Sequence, residues 1–285
     1  MKSGFVVLAG RSNVGKSTLL NALVGSKVAI VTPKAQTTRR PVRGIKHDAR
    51  GQIVFVDTPG FFLGKKDELS QKLNASVREQ LEGIDLVIYV TDPTREPGAE
   101  EEDIQRMLRK LPVPIILAIN KSDLAPDRKP FLMNMSVIDV GQKATLEISA
   151  LRKQDLNTLV DKIFELLPEG EPFYPDLQLT DMSHKDWLEE VIREKIFLRL
   201  EEELPYSIHV EVTDIEERGK NGRRISATVW TTDERYKRMI IGEGASMIKQ
   251  IGMDARQEIE GASDMKLYLE LTVKVDPKWP QRFHV

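Results

Sequence analysis

Residues Gly10, Arg11, Ser12, Asn13, Val14, Gly15, Lys16 and Ser17 fit the spacing G-x-x-x-x-G-K-S. A loop of this kind holds phosphates when a buried strand leads into it and a helix leaves it, because its backbone N–H groups then face the phosphate oxygens. Here the apolar run FVVLA precedes the loop and a helical pattern, Lys16 to Val24, follows it. Lys16 would set a point charge on the β- and γ-phosphates, Ser17 would offer its hydroxyl to Mg²⁺, and Thr18 completes the nucleotide-binding stretch. Asp57, Thr58, Pro59 and Gly60 close a second apolar run, VFV. Asp57 would hold the metal through its water shell, and Gly60 would bring an amide to the γ-phosphate. The polar segment Lys34 to Arg40 lies between, where a threonine would coordinate Mg²⁺. Thr38 is preferred to Thr37, although spacing alone leaves both open.

Asn120, Lys121, Ser122 and Asp123 follow the apolar run PIILAI. The Asp123 carboxylate would accept guanine N1–H and its 2-amino group, Asn120 would reach N7, and the Lys121 stem would pack along the base. Adenine offers neither of those donors and would leave a charged acceptor unpaired, at a cost of about 1–3 kcal/mol or more. Ser149 and Ala150 end another apolar run, ISA, where a backbone N–H would meet the guanine 6-oxo group. The spacing therefore selects GTP and GDP over ATP, with hydrolysis expected. Lys16, Thr38, Gly60 and Asn13 are the candidate catalytic set.

One position departs from the usual pattern. Phe61 stands where many GTPases carry a glutamine that orients the attacking water. An apolar ring has no such role, so hydrolysis is expected to be slow without a partner. Asn13 would supply an oxygen to a monovalent cation such as K⁺, which would neutralise charge as it develops; a bond to the loop backbone is the competing reading.

Each motif falls at the end of an apolar run, and the elements that must position them alternate accordingly. GFVVLAG, QIVFVDTPG, DLVIYVTD, PIILAINKSD and ATLEISA read as buried strands. Helical patterns at 16–24, 71–82, 101–110 and 154–167 lie between them. This is a doubly wound, mostly parallel α/β sheet, whose ligands sit beyond the carboxyl ends of its strands. It spans residues 1–168; the proline-bearing segment 169–181 is a linker. From 182 to 285 the order is α-β-β-α-α-β, an α+β pattern ending in the alternating strand MKLYLELTVKVD.

Composition narrows the field further. The 285 residues contain no cysteine, which excludes disulfides and thiol catalysis, and only four histidines. The net charge is −2, so any nucleic-acid site must be local. No run approaches the roughly 20 apolar residues of a spanning helix, and the chain is read as cytoplasmic and monomeric.

The ordered motifs GRSNVGKS, QTTR, DTPG, NKSD and ISA, with the junction EGEPFYPDLQLTD and the helix EEVIREKIFLRLEEELPYS, resemble the Era family of bacterial GTPases over nearly the whole chain. That resemblance implies a P-loop GTPase domain followed by a type II KH domain. It also implies binding near the 3′ end of small-subunit ribosomal RNA during 30S assembly, slow intrinsic hydrolysis, and a loose peripheral contact with the inner membrane. A KH fold grips backbone nucleotides with a G-x-x-G loop. The corresponding stretch is Ile241, Gly242, Glu243, Gly244 and Ala245, with Met247 and Lys249 beyond it. Glu243 adds a charge that phosphate repels, and Ala245 adds a Cβ where glycine is usual. From Asp181 to Val285 there are 17 Lys and Arg against 21 Asp and Glu, a formal charge of −4. Positive charge is clustered nonetheless, at Arg223 and Arg224, at Lys237 and Arg238, and at Lys249. Two other readings stay open: an RNA-binding scaffold with a static GTP site, and a P-loop phosphotransferase.

Overall fold

The apolar run before the phosphate loop forms strand β1 (Lys2–Ala9), whose residues Val6 to Ala9 are almost wholly buried. It is the third strand of a six-stranded sheet ordered β2-β3-β1-β4-β5-β6. The others are β2 (Val42–Asp48), β3 (Gly51–Asp57), β4 (Leu86–Thr91), β5 (Ile115–Ile119) and β6 (Ala144–Glu147). The computed structural model describes residues 1–32, 42–57, 83–200, 207–218, 222–263 and 265–282. The expected helix at 71–82 lies outside them.

Strands β1, β3, β4, β5 and β6 pair in parallel, and β2 runs antiparallel to β3. The strand reading above did not include β2. A tight return at Gly51 joins it to β3: this residue has φ 147 and a Cβ there would collide with the Lys2 backbone, so glycine is required. Among the described residues, helices α1 (Lys16–Val24), α2 (Ala99–Leu108), α3 (Leu132–Ser136) and α4 (Leu156–Leu166) accompany the sheet. Ile104 and Leu108 of α2 and Met135 of α3 pack with Val7, Val56, Val87 and Tyr89 from the strands. α1 seats Leu20 and Val24 directly over Gly44 of β2.

The proline-bearing segment after α4 forms no helix, yet it is fastened to the sheet. Ser3 N–H donates to the Pro168 carbonyl at 3.3 Å, Gly170 N–H to Met1 at 3.0 Å, and Ile45 N–H to Leu179 at 2.8 Å. Gln52, 1% exposed, accepts from the Phe173 and Tyr174 amides at 2.8 and 3.0 Å and donates to the Tyr174 carbonyl at 2.9 Å. The Thr180 hydroxyl donates to the Arg43 carbonyl at 2.7 Å, and Arg43 pairs with Asp181 at 3.1 Å.

Along the chain the first compact unit ends at Asp181 and the main part of the second begins at Met182. The second unit begins with α5 (His184–Arg199), capped by the Ser183 hydroxyl, which accepts the Asp186 amide at 3.1 Å. Then follow β7 (Ile208–Arg218), β8 (Gly222–Thr231), α6 (Glu234–Ile241), α7 (Ser246–Ser263), β9 (Lys266–Val275) and the short α8 (Trp279–Arg282). The sheet is ordered β7-β8-β9, antiparallel then parallel. Val191, Ile192, Ile196 and Phe197 of α5 meet Ile251, Ala255 and Ile259 of α7 in one apolar cluster with Val210, Ala227 and Val229 from the strands. This α-β-β-α-α-β order is that of the type II KH fold. Among the described residues no helix is long and apolar enough to cross a membrane.

Candidate functional site

The chain leaves β1 at Gly10 and re-enters regular structure at Lys16, and backbone geometry explains the glycines. Gly10 has φ 150 and a Cβ there would strike the Val90 carbonyl; Gly15 has φ 102 and a Cβ there would strike the Asn120 amide. Gly15 caps α1 in a left-handed conformation without a side chain in the way, so the first amides of the helix stay open to an anion. Asn13 also lies at positive φ, 64.

Lys16 is 7% exposed, and its ammonium donates to the carbonyls of Gly10 and Arg11 at 3.0 and 2.8 Å. Burial pushes its pKa down, with Asp57 opposing. A phosphate here would supply negative charge that offsets the loss of water around the buried ammonium. The Ser17 hydroxyl donates to the Asp57 carboxylate at 2.5 Å, and Asp57 is fully buried at the end of β3. These are hard oxygen donors set side by side, a donor set that fits Mg²⁺ shared with phosphate oxygens. Ser17 and Asp57 would hold the ion, and Lys16 would remain the protein's own charge on the phosphates. Thr38, Thr58, Pro59, Gly60 and Phe61 lie outside the described residues.

A cavity of about 230 Å³ opens beside the loop, lined by Asn13, Gly15, Thr18, Asn120, Lys121, Asp123, Leu124, Ala150 and Leu151. Asn120, 4% exposed, sits behind it as a brace: its amide nitrogen donates to the Val14 carbonyl at 2.9 Å and its oxygen accepts the Ala150 amide at 3.0 Å. One side chain thus ties the phosphate loop to the turn after β6. A contact of Asn120 with guanine N7, as expected from the sequence, would have to use its second N–H. Lys121, at φ 66, is held by an ion pair with buried Asp92, which fixes its stem at the cavity wall.

Two expectations for the ISA stretch change. Ser149 is fully buried and does not line the cavity; its hydroxyl donates to the Asp123 carboxylate at 2.5 Å while accepting the Arg152 amide at 3.0 Å. It holds the Asp123 carboxylate in place from behind the cavity wall. All three amides of the stretch are also engaged, Ile148 with Ile119, Ser149 with Gln154 and Ala150 with Asn120. No amide of Ile148–Ala150 stands ready for the 6-oxo group in this conformation. Arg11 differs too: its side chain turns to Glu100 and Glu101, at 2.9 and 3.0 Å, so only its backbone belongs to the phosphate cradle. Val14 is buried and contributes its carbonyl, while the Ser12 carbonyl accepts from Arg95 at 2.7 Å.

In the second unit, Gly242–Ala245 forms the connection between α6 and α7. Gly242 has φ 72 and a Cβ there would press on Met247, whereas Gly244 at φ 56 faces open space. Ala245 is left-handed at φ 61, which costs an L-residue about 1–2 kcal/mol. Ile241 and Met247 pack against the core. Lys237 is near Glu234 at 3.7 Å, and Glu243, Arg238 and Lys249 are exposed.

A groove of about 340 Å³ runs between α7 and β9, lined by Ile248, Lys249, Gly252, Met253, Arg256, Tyr268, Leu269 and Leu271. An apolar floor rimmed by cations and an aromatic ring suits an unstacked base with its phosphate. Arg256, Met253 and Tyr268 escaped the sequence reading; the signal was Tyr268, a large ring 60% exposed on an alternating strand. Arg223 and Arg224 do not line this groove. Arg224 pairs with Glu270 at 2.6 Å and Glu216 at 3.4 Å, and Arg223 with Glu217 at 3.7 Å, so these carboxylates already occupy the charges expected to meet RNA.

Fold and site together define a P-loop GTPase carrying a KH unit. Residues 5–121 match the family model described as 50S ribosome-binding GTPase, and residues 203–280 match the KH domain model. GTPase Era of Heliobacterium modesticaldum is 39% identical over 99% of this chain and 94% of its own length. GTPase Era of Nitrosomonas eutropha is 38% identical over 98% and 94%. Two solved structures, a variant of Aquifex aeolicus Era bound to GDP·AlF4⁻ and Era in complex with MgGDPNP and nucleotides 1506–1542 of 16S ribosomal RNA, each superpose with a TM-score of 0.92 at 38% identity, covering 99% of this chain and 96% of theirs. The chain belongs to the GTPase Era family.

Proposed function

We propose that this GTPase is a switch that binds small-subunit ribosomal RNA near its 3′ end through the second unit and assists 30S assembly. The observation that carries this reading is the joint presence, in one chain, of the braced guanine cavity and the cation-rimmed groove. The relative solved with MgGDPNP and 16S ribosomal RNA supports it, because the likeness extends over both units. In this reading Mg²⁺ is held by Ser17, Asp57 and Thr38. Bound there, it would offset negative charge on the phosphates.

Asp123 selects guanine, with Ser149 holding it in place, and Lys16 draws charge from the β- and γ-phosphates. Asn13 lines the cavity, and its side-chain oxygen would serve K⁺; hydrolysis unchanged on replacing K⁺ by Na⁺ would remove that role. The RNA contacts are assigned to Lys249, Arg256 and Tyr268 in the groove, together with Gly242–Ala245 immediately before α7. The site of action is the cytoplasm, with peripheral contact at the inner membrane.

The test is titration of a labelled RNA carrying the 3′ end of small-subunit ribosomal RNA into protein loaded with GDP or with a non-hydrolysable GTP analogue. Tighter binding with the analogue is expected. Equal, weak binding in both states would defeat the switch reading.

A further inference from the structure

The phosphate loop is held from behind by the chain between β4 and α2. Arg95 Nη1 donates to the Ser12 carbonyl at 2.7 Å. In the opposite direction, Arg11 Nη1 donates to the Glu96 carbonyl at 3.1 Å, and its guanidinium pairs with Glu100 and Glu101 at 2.9 and 3.0 Å. Glu101 is 2% exposed and also accepts the Tyr89 hydroxyl at 3.4 Å. Burial works against the charges of both partners, and the paired hydrogen bonds still hold the Arg11 pKa above its usual value. The supporting segment is itself anchored: the Thr94 amide and hydroxyl bond to Asp92 at 3.0 and 2.7 Å, and Asp92 forms the ion pair with Lys121. Two arginines therefore cross, one from the loop and one towards it.

The Arg95 contact has a directional consequence. A trans peptide is planar, and its C=O and N–H point opposite ways. Fixing the Ser12 oxygen on Arg95 turns the Asn13 N–H away from Arg95. Asn13 lies at φ 64, a conformation that a non-glycine residue keeps only where its surroundings hold it. A loop that binds phosphate through successive N–H groups gains from having each one aimed before the ligand arrives.

We propose that Arg95 is a positioning residue for the phosphate site: by holding the Ser12 oxygen it fixes the orientation of the Ser12–Asn13 peptide, with the Asn13 N–H turned the opposite way, as donation to the nucleotide's phosphates requires. The inference rests on the guanine-nucleotide reading of the loop. Wild-type protein that failed to bind GDP would sink that reading by itself.

Arg95→Ala, Arg95→Met and Arg95→Lys would be titrated with GDP, a non-hydrolysable GTP analogue and GMP, alongside single-turnover hydrolysis and thermal melting. GMP engages the base site but lacks the outer phosphates. Loss of the arginine is expected to weaken GDP and the GTP analogue by about tenfold and to slow hydrolysis, while GMP stays within about twofold of wild type. Lysine is expected to restore much of the loss, because a single N–H donor suffices. Methionine keeps the stem and removes the donors, so it carries the comparison if the alanine variant does not fold. Three results would overturn the proposal: GDP affinity unchanged in the methionine variant, equal losses for GMP and GDP, or lysine no better than methionine.

Discussion

Asn120 braces two loops at once, and removing its side chain should show how much of the nucleotide site is built by that brace. In Asn120→Ala the Val14 carbonyl and the Ala150 amide lose partners at 2.9 and 3.0 Å, in surroundings where the residue itself is 4% exposed. Each buried group left without a partner costs about 1–3 kcal/mol. If water enters the vacated space and takes up part of the loss, the sum is about 2–4 kcal/mol. Thermal melting of the nucleotide-free protein should fall accordingly, and GDP affinity should fall further because phosphate loop and base turn are no longer coupled. Asn120→Asp separates the two bonds: it keeps an acceptor for Ala150 but sets a carboxylate oxygen against the Val14 carbonyl, and should be at least as damaging. The measurements are melting with and without GDP, and titration with fluorescent GDP. An alanine variant that melted like wild type, losing only affinity, would refute the brace and leave Asn120 as a base contact alone.

Ala245→Gly relieves a left-handed alanine at φ 61, worth about 1–2 kcal/mol, against about 0.4–1 kcal/mol for the freer unfolded chain. Melting of the second unit should rise slightly, and labelled-RNA affinity should rise with it; a lower melting temperature would contradict the strain. Gln52→Ala removes three partly buried hydrogen bonds to Phe173 and Tyr174, at about 1 kcal/mol each, so limited proteolysis should cut the 169–181 segment faster. The Arg50 guanidinium, bonded to Asp48 at 2.8 and 3.0 Å, holds that carboxyl at about 2, below its free value. A depressed carboxyl stabilises the fold above its unfolded pKa, and that gain fades as the pH drops from about 4 towards 2. The pair is exposed, so the effect stays below about 1 kcal/mol, and Asp48→Asn should flatten that part of the acid melting curve.

The first unit's strands were legible because four of them, β1, β3, β4 and β5, are buried on both faces, whereas β6, expected to be buried as well, alternates half-buried and exposed residues; the chemical residues stand where those runs stop. β2 was not, because Lys46, His47 and Asp48 interrupt its apolar pattern and its pairing depends on Gly51, whose role is steric rather than periodic. Residue types named Asn120, Asp123 and Ser149 together, but only coordinates separate a brace from a wall or a supporting group. Contacts such as Arg95 to Ser12 join positions with no shared periodicity, so no window of sequence reveals them. In the second unit, clustering of positive charge pointed to Arg223 and Arg224, whereas cross-strand carboxylates decide where those charges are spent. Tyr268 and Arg256 gather at the groove through helix-to-strand packing alone.

The fastening of the proline-bearing segment changes the length of the leash. Thirteen free residues would have a root-mean-square reach of roughly 20 Å and no memory of direction. Here the chain is pinned at Gly170, at Phe173 and Tyr174, and again at Leu179 and Thr180. The slack available to the second unit therefore begins only after Asp181, and the last pins sit on Arg43 and Ile45 of the strand that starts at Val42. Extra residues inserted between Pro175 and Gln178 would bulge into solvent and alter nothing downstream. The same residues inserted after Asp181 would lengthen the leash itself.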